Sequence, residues 1–173
     1  MRRTTSVFLL IAALVAAASA PAAAPRGTQA NPYRIRTLVR PPDSEGWKLR
    51  VNKSVPNATR SVLKWNKFNP PPRAGDQFFI INITLAYSGG GFDIPFAPTR
   101  LSAVGRSNIT YTATTDSCGG IPGALHFRSR VRSGRNVTGN ICFSVSKTDA
   151  RGLLLMYESE FSSNQKRVFF KLR

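Results

Sequence analysis

Alternating apolar and polar residues predict a chain built from β-strands. The clearest case spans residues 134–146, where Val137, Ile141, Phe143 and Val145 share one parity and polar residues fill most of the other. A period of two is typical of a strand with one buried face. This stretch therefore predicts a strand that lies against a core.

Eight further runs predict strands. They cover residues 46–52, 61–68, 79–87, 100–105, 109–114, 124–132, 152–158 and 167–172. Turns rich in Pro and Gly separate several of them, and no run beyond the first 22 residues shows sustained helical spacing. About nine short strands in a chain of 173 residues predict an all-β fold, namely an immunoglobulin-like antiparallel β-sandwich.

The first 22 residues predict a signal peptide. Arg2 and Arg3 precede the uncharged apolar run 7–18, and small residues at 20–22 suit cleavage. The alternative is an uncleaved membrane anchor, but a spanning helix needs about 20 strongly apolar residues. We therefore expect a secreted protein, extracellular or associated with the cell envelope, with no transmembrane segment in the mature chain.

Composition and charge define the rest of the chain. Residues 23–45 are rich in Pro, Ala and Arg and predict a flexible basic leader, followed by one domain over 46–173. The net charge is +17, and loss of Arg2 and Arg3 with the signal peptide lowers it by two, to +15. Such a charge draws a protein to anionic surfaces, although charge also serves solubility.

Two cysteines, Cys118 and Cys142, indicate one disulfide in an exported chain. Free thiols and a metal pair are the alternatives, and the single histidine argues against a zinc site, which needs about four ligands. Cys142 has the parity opposite to Ile141 and Phe143. A disulfide there is expected on the outer face of its sheet, in contrast to the inter-sheet bridge of antibody domains.

The order of several strand patterns resembles one known family. The matching runs are residues 71–85, 101–104, 116–119, 137–145 and 154–157. They resemble the small exported actinobacterial immunoglobulin-like proteins of unknown function, a family that includes the mycobacterial immunoprotective extracellular protein. The resemblance covers about residues 46–172 and implies an antiparallel β-sandwich, export and no known catalytic activity. It also supports the disulfide, because some members place cysteines before and within the same strand.

The sequence offers little for catalysis. His126 lies between Leu125 and Phe127 in a predicted strand without an accompanying nucleophile motif. A cell-wall-directed hydrolase using Asp93, Asp116 or Asp149 is the alternative function, but turn and capping roles are favoured for these carboxylates. We therefore expect that the protein is not an enzyme and that it has no cofactor and no metal site. Tyr33 and Trp65 are the conceivable platforms for stacking bases, yet Trp65 shares parity with Leu63 and is expected in the core, so specific nucleic-acid binding is not favoured.

The sharper signal is a group of arginines. Arg128, Arg130 and Arg132 follow at period two in the predicted strand 124–132, and Arg135 lies in the next turn. Planar guanidinium groups along one face suit phosphate or carboxylate ligands, while edge protection of a strand is the competing explanation. The sequence therefore predicts an exported, non-enzymatic module whose partner is an unidentified protein or an anionic cell-envelope polymer.

Overall fold

A computed structural model of the chain describes residues 23–96, 98–159 and 166–173. The predicted signal peptide, residues 1–22, lies outside the described residues. The regular elements are β1 (Trp47–Val55), α1 (Thr59–Trp65), β2 (Asp76–Tyr87), β3 (Phe92–Asp93), β4 (Leu101–Val104), β5 (Thr110–Thr112), β6 (Val131–Arg132), β7 (Asn136–Ser146), β8 (Leu154–Glu158) and β9 (Arg167–Lys171). Single 3-10 turns at Pro98–Arg100 and Asp149–Arg151 precede β4 and β8.

The strands form antiparallel sheets. One sheet has the order β1-β2-β7, a second has the order β5-β4-β8-β9, and β3 pairs with β6 in a small ribbon. β2 and β7 carry the longest pairing, from Asp76 opposite Ser146 to Ala86 opposite Asn136. The predicted all-β sandwich of about nine strands is confirmed.

The main core lies between the two larger sheets. β2 buries Phe79, Ile81, Ile83 and Leu85 completely on one face because alternate side chains of a strand point the same way. β7 adds Phe143 to the same cluster, and the second sheet adds apolar residues from β4, β8 and β9. Each such side chain contributes about 1.5–3 kcal/mol when fully buried.

A second, smaller cluster lies on the other face of the three-stranded sheet. Phe78 and Ile80 of β2 pack there with Val62 of α1 and with Cys118 and Cys142. The two cysteines form a disulfide with a Cα–Cα distance of 5.8 Å. The predicted pairing and its position opposite the main core are both confirmed, and helix α1 covers this end of the face.

The predicted strand 61–68 is wrong, because this segment contains helix α1. The alternation of Leu63 and Trp65 suggested a strand, but the buried positions are Ala58 and Val62, four residues apart. Val62 N–H donates to the Ala58 carbonyl at 2.9 Å. Seven helical residues are too few to show a clear period in the sequence. Trp65 is consequently 63% exposed, so its predicted place in the core is also wrong.

The predicted strand 124–132 is mostly wrong as well. Only Val131–Arg132 form a strand, β6. Ala124 forms an isolated bridge with Asn140, and Ser129 N–H donates to the His126 carbonyl at 3.2 Å, which turns the chain. The alternation of Leu125, Phe127 and Val131 reflects contacts with the core from a looped backbone rather than from one strand.

Ordered packing starts before Gly46. Val39 is buried and exchanges backbone hydrogen bonds with Leu49 at 2.7 and 2.9 Å. Tyr33 bonds in the same way with Phe169 and Lys171 beside β9. The predicted leader, residues 23–45, therefore contributes backbone hydrogen bonds and apolar side chains to the sandwich.

Candidate anion-binding surfaces

The predicted row of Arg128, Arg130 and Arg132 along one face of a strand is wrong, because only Arg132 of the three lies in a strand. Arg130 and Arg132 place their guanidinium carbons 5.4 and 4.9 Å from the centre of the Phe92 ring, while Arg128 lies in the turn that precedes them and Arg135 in the turn before β7. The structure thus brings two of the four together. The residue that joins them is Phe92 of β3, a strand that the sequence pattern did not predict.

The contact with Phe92 holds the two guanidinium groups at the surface. A cation over an exposed aromatic ring gains about 0.5–1 kcal/mol. Among the described residues, the side chains of Arg130 and Arg132 show no hydrogen bond to an acceptor. Their donors are available to an oxyanion, although the pair alone offers no cavity.

A larger polar surface lies on the outer face of the three-stranded sheet. It is an open cavity of about 450 Å³ lined by Arg36, Arg50, Asn52, Lys53, Asn82, Thr84 and Thr138. Strand pairing sets these positions, since Arg50 lies opposite Thr84 and Thr84 opposite Thr138. The register shifts between Val51 and Lys53, so that Asn52 is an extra residue in β1. A bulge of this kind re-aims the side chains beside it.

The amide side chains on this face form one directed chain of hydrogen bonds. Arg50 Nε donates to Asn52 Oδ1 at 2.9 Å. Asn52 Nδ2 donates to Asn82 Oδ1 at 2.9 Å, and Asn82 Nδ2 donates to Asn140 Oδ1 at 2.7 Å. Asn140 Nδ2 ends the chain at the Pro122 carbonyl at 2.8 Å. Each of the three amide oxygens in the chain therefore accepts a hydrogen bond from within the protein.

The two threonines extend the same polarity. Thr84 Oγ1 accepts from Asn52 Nδ2 at 2.9 Å and lies 2.8 Å from Thr138 Oγ1. Thr84 is buried, and a buried hydroxyl hydrogen needs an acceptor. Thr138 Oγ1 is the acceptor at hand, so we assign the shared proton to Thr84. The hydroxyl hydrogen of the exposed Thr138 is then directed to the outside.

Arg36 adds a third cation from the chain that precedes β1. Its backbone N–H donates to the Val51 carbonyl at 2.7 Å, and its φ of 69° lies in the left-handed region. That conformation costs a residue with a side chain roughly 1–2 kcal/mol. The hydrogen bond to β1 holds Arg36 at the rim of the cavity despite this cost.

This surface presents hydrogen-bond donors and positive charge. Arg36, Arg50 and Lys53 supply cations, Thr138 supplies a hydroxyl donor, and no Asp or Glu is among the lining residues. The oxygens of Asn52, Asn82 and Thr84 each accept a hydrogen bond from within the protein. Such a surface suits a ligand made of acceptors with negative charge, as phosphate and carboxylate groups are.

The sequence contained part of the signal for this surface. Arg50, Asn82 and Thr138 all lie on the outer parity of strands that were predicted correctly. The order of these strands in the sheet, with β2 between β1 and β7, could not be read from periodicity. Without that order, three separate polar stripes do not indicate one site.

The predicted carboxylates are engaged with their own neighbours. Asp93 Oδ2 accepts from Trp47 Nε1 at 2.8 Å, and Asp116 Oδ2 accepts from Thr112 N–H at 2.8 Å. Asp149 is buried and accepts from the Tyr111 hydroxyl at 2.8 Å and from Ser107 N–H at 3.0 Å. Asp116 has the local turn role favoured from the sequence, whereas Asp93 and Asp149 accept long-range hydrogen bonds inside the fold. These contacts do not support the hydrolase alternative.

The environment of Asp149 changes two pKa values. Burial raises the pKa of its carboxyl, but the hydrogen bonds from the Ser107 hydroxyl and N–H and from Tyr111 outweigh burial, so the net pKa is lowered. Burial and the hydrogen bond to Asp149 raise the pKa of the Tyr111 hydroxyl to about 12. The pair is therefore carboxylate with neutral phenol at neutral pH.

Other chemistry is sparse in the described parts of the chain. His126 is exposed in the turn before β6. Residues 23–96, 98–159 and 166–173 contain no group of three or more His, Cys, Asp and Glu residues placed to hold a metal ion. Among these same residues, no helix combines the length and apolar character needed to cross a membrane.

Comparison with known proteins shows the fold. No protein-family model matches the chain, and no curated protein is similar to it in sequence. MPT63, a secreted protein of Mycobacterium tuberculosis, is similar with a TM-score of 0.52 and 16% identity over 81% of this chain and 97% of MPT63. The yjhA protein of Bacillus subtilis is similar with a TM-score of 0.50 and 12% identity over 82% of this chain and 99% of that protein. The likeness to MPT63 agrees with the expected fold, while membership of the exported actinobacterial family stays a prediction.

Proposed function

We propose that the protein is an exported, non-enzymatic β-sandwich module that binds an anionic polymer outside the cell or in its envelope. Its binding site is the sheet-face surface, defined as Arg36, Arg50, Asn52, Lys53, Asn82, Thr84 and Thr138. The observation that supports this proposal is an open cavity of about 450 Å³ that three cationic side chains line and no carboxylate does. Cavities of this volume are in the range used for ligands.

The charge of the surface favours an acidic ligand over a neutral sugar. The amide oxygens of Asn52, Asn82 and Asn140 each accept one hydrogen bond from within the protein, from Arg50, Asn52 and Asn82, respectively. Phosphate and carboxylate oxygens only accept and carry negative charge, so they match the cationic donors Arg36, Arg50 and Lys53. A neutral sugar gains hydrogen bonds there but no charge pairing.

The arginine pair on Phe92 supplies a second attractive surface for the same class of ligand. Arg130 and Arg132 are held there with free donors. Neither arginine lines the cavity of the sheet-face surface. We therefore assign the pair to electrostatic attraction of the ligand and not to recognition of its shape. This assignment makes the two surfaces separable by mutation.

Two matched triple variants test the proposal. One changes Arg36, Arg50 and Lys53 to Ser, and the other changes Arg128, Arg130 and Arg132 to Ser, so that each removes three positive charges. The measurement is retention of the protein without residues 1–22 on immobilised polyphosphate and on a polycarboxylate over a salt series. We expect the variant of Arg36, Arg50 and Lys53 to lose more affinity than the other variant. Both variants should show a shallower salt dependence than the unmodified protein, because each has lost three cations.

Two outcomes would contradict the proposal. Equal losses for the two triples would show that only net charge matters. A larger loss for Arg128, Arg130 and Arg132 would place the site at the Phe92 pair. A stronger retention on polyphosphate than on the polycarboxylate, or the reverse, identifies the acidic group.

A further inference from the structure

Two exposed aromatic side chains lie at the end of α1 and in the segment that follows it. Phe68 is 95% exposed and Trp65 is 63% exposed, more than any other large apolar side chain that the structure describes as exposed. Trp and Phe gain free energy when they leave water, so such exposure calls for an explanation. We name residues 64–68, which contain both, the aromatic tip.

The aromatic tip stands on a rigid base. Asn69 follows it, is buried, and donates from Nδ2 to the Gly120 carbonyl at 2.6 Å. Gly120 N–H donates back to Asn69 Oδ1 at 2.9 Å, and Asn66 Nδ2 donates to the same oxygen at 2.9 Å. Gly120 lies two residues after Cys118 of the disulfide. The turn is thus tied to the covalently closed loop.

Hydrogen bonds within the turn fix the position of the Phe68 backbone. Phe68 N–H donates to Asn66 Oδ1 at 3.0 Å, and Asn69 N–H donates to the Asn66 carbonyl at 3.2 Å. Val62, one turn of helix before Asn66, is fully buried against the disulfide cluster. An exposed apolar side chain on a fixed backbone loses little conformational freedom when a partner covers it.

The charged residues nearest the tip in sequence are basic. No Asp or Glu occurs between Glu45 and Asp76 in the sequence. Arg60, Lys64 and Lys67 are exposed in or beside the tip, whereas Arg73 shares a cavity with Asp76 and Asp116. A rim that carries three cations beside exposed aromatics complements an anionic surface with an apolar interior. A lipid bilayer with anionic headgroups has that structure.

We infer that the aromatic tip is an interfacial anchor that inserts Trp65 and Phe68 into the headgroup region of an anionic membrane, while the adjacent Lys and Arg side chains contact the headgroups. Each Lys or Arg near such a surface contributes about fivefold in partition. Burial of a Phe side chain contributes about tenfold or more. The anchor shares no residue with the sheet-face surface and does not depend on the proposed function.

Vesicle flotation of the protein without residues 1–22 tests the anchor. The probes are vesicles of phosphatidylcholine alone and vesicles of phosphatidylcholine with an equal part of phosphatidylglycerol. We expect binding to the second kind only, and a loss of about tenfold or more in partition for Phe68→Ser. Phe92→Ser is the matched control, because Phe92 is also exposed beside two arginines but has those guanidinium groups over its ring.

Tryptophan emission supplies an independent reading. The chain has two tryptophans, and Trp47 is buried in the core. Insertion should shift the emission of Trp65 to shorter wavelength with the anionic vesicles, and Trp65→Phe should remove that shift. Unchanged partition of Phe68→Ser, an equal loss for Phe92→Ser, or binding without an emission shift would each overturn the anchor. Retention of Phe68→Ser on polyphosphate separately reports the proposed function.

Discussion

The protein contains two polar networks that end in opposite ways. The network around Asp149 is buried and converges on one carboxylate, which accepts from Ser107 and Tyr111. The network on the sheet face starts at Arg50, and each side chain in it donates to the next until Asn140 donates to the Pro122 carbonyl. The first network leaves nothing for a ligand, while the second leaves cationic donors at its outer end.

The difference shows how to separate a structural charge from a binding one. A buried carboxylate is retained as an ion when enough donors point at it, and those donors are then unavailable for chemistry. A surface chain of amides uses its acceptors internally and fixes the orientation of the residue at its start, here Arg50. The perturbed pKa of Asp149 therefore indicates stability, although a perturbed pKa is often taken as a sign of function.

Removal of the Asp149 carboxylate should produce the largest loss of stability. Asp149→Ala leaves the Tyr111 hydroxyl and the Ser107 N–H without their acceptor, so we expect the free energy of unfolding to fall by about 3 kcal/mol. Denaturant unfolding measures the change. Asp76→Ala is the matched control, since the described residues show no side-chain hydrogen bond for Asp76. A fall below about 1 kcal/mol for Asp149→Ala would contradict the structural role.

The same network should give stability a pH dependence at both ends. The lowered pKa of Asp149 stabilises the fold above the unfolded pKa of about 4, and this contribution is lost as the pH falls through the folded pKa. The raised pKa of Tyr111 stabilises the fold below pH 10, and this contribution is lost as the pH rises from about 10 to about 12. The free energy of unfolding of the unmodified protein should therefore fall toward both acid and alkaline pH.

Difference curves isolate these two groups from the other titrating residues. Asp149→Asn should reduce the difference between neutral and acid stability, and Tyr111→Phe should reduce the loss in alkali. An alkaline curve of Tyr111→Phe that is parallel to the unmodified protein would show that Tyr111 titrates normally. Retention on polyphosphate at neutral pH should be equal for both variants, since neither residue lines the sheet-face surface.

The strands with long alternation could be predicted from the sequence, and the short elements could not. β2 and β7 pair over most of their predicted lengths, from Asp76 opposite Ser146 to Ala86 opposite Asn136, because a buried face fixes the register of a strand. β3 has only two residues, which is too short for any period. The segment of helix α1 was predicted as a strand because Leu63 and Trp65 alternate with polar residues. The residue that the helix buries is Val62.

Periodicity predicts which face of a strand a residue occupies, but not which strands are neighbours in a sheet. Cys142 was placed on the outer face by parity alone, and this prediction is confirmed by its cluster with Ile80. Arg128, Arg130 and Arg132 were placed on one strand, which the turn at His126–Ser129 prevents. Arg50, Thr84 and Thr138 lie side by side only because β2 lies between β1 and β7. That strand order arises from long-range packing and could not be read from the sequence pattern.

The smallest effect concerns the hydroxyl of Thr138, a neutral donor of the sheet-face surface. The 2.8 Å contact between Thr84 Oγ1 and Thr138 Oγ1 allows either hydroxyl to donate, and we assigned the donation to Thr84 because Thr84 is buried and its hydroxyl hydrogen needs an acceptor. Thr138→Val should then remove both the acceptor of Thr84 and the outward donor. We expect a loss of about fivefold in affinity for polyphosphate, consistent with about 1 kcal/mol for one hydrogen bond.

The conservative variant decides the direction of the proton. Thr138→Ser keeps the hydroxyl and should keep the affinity, with a free energy of unfolding within about 0.5 kcal/mol of the unmodified protein. If Thr138→Val binds polyphosphate as well as Thr138→Ser does, then Thr138 donates inward to Thr84. In that case the donors of the surface are its three cations alone, and its preference for an acidic polymer rests on charge without a contribution from the hydroxyl.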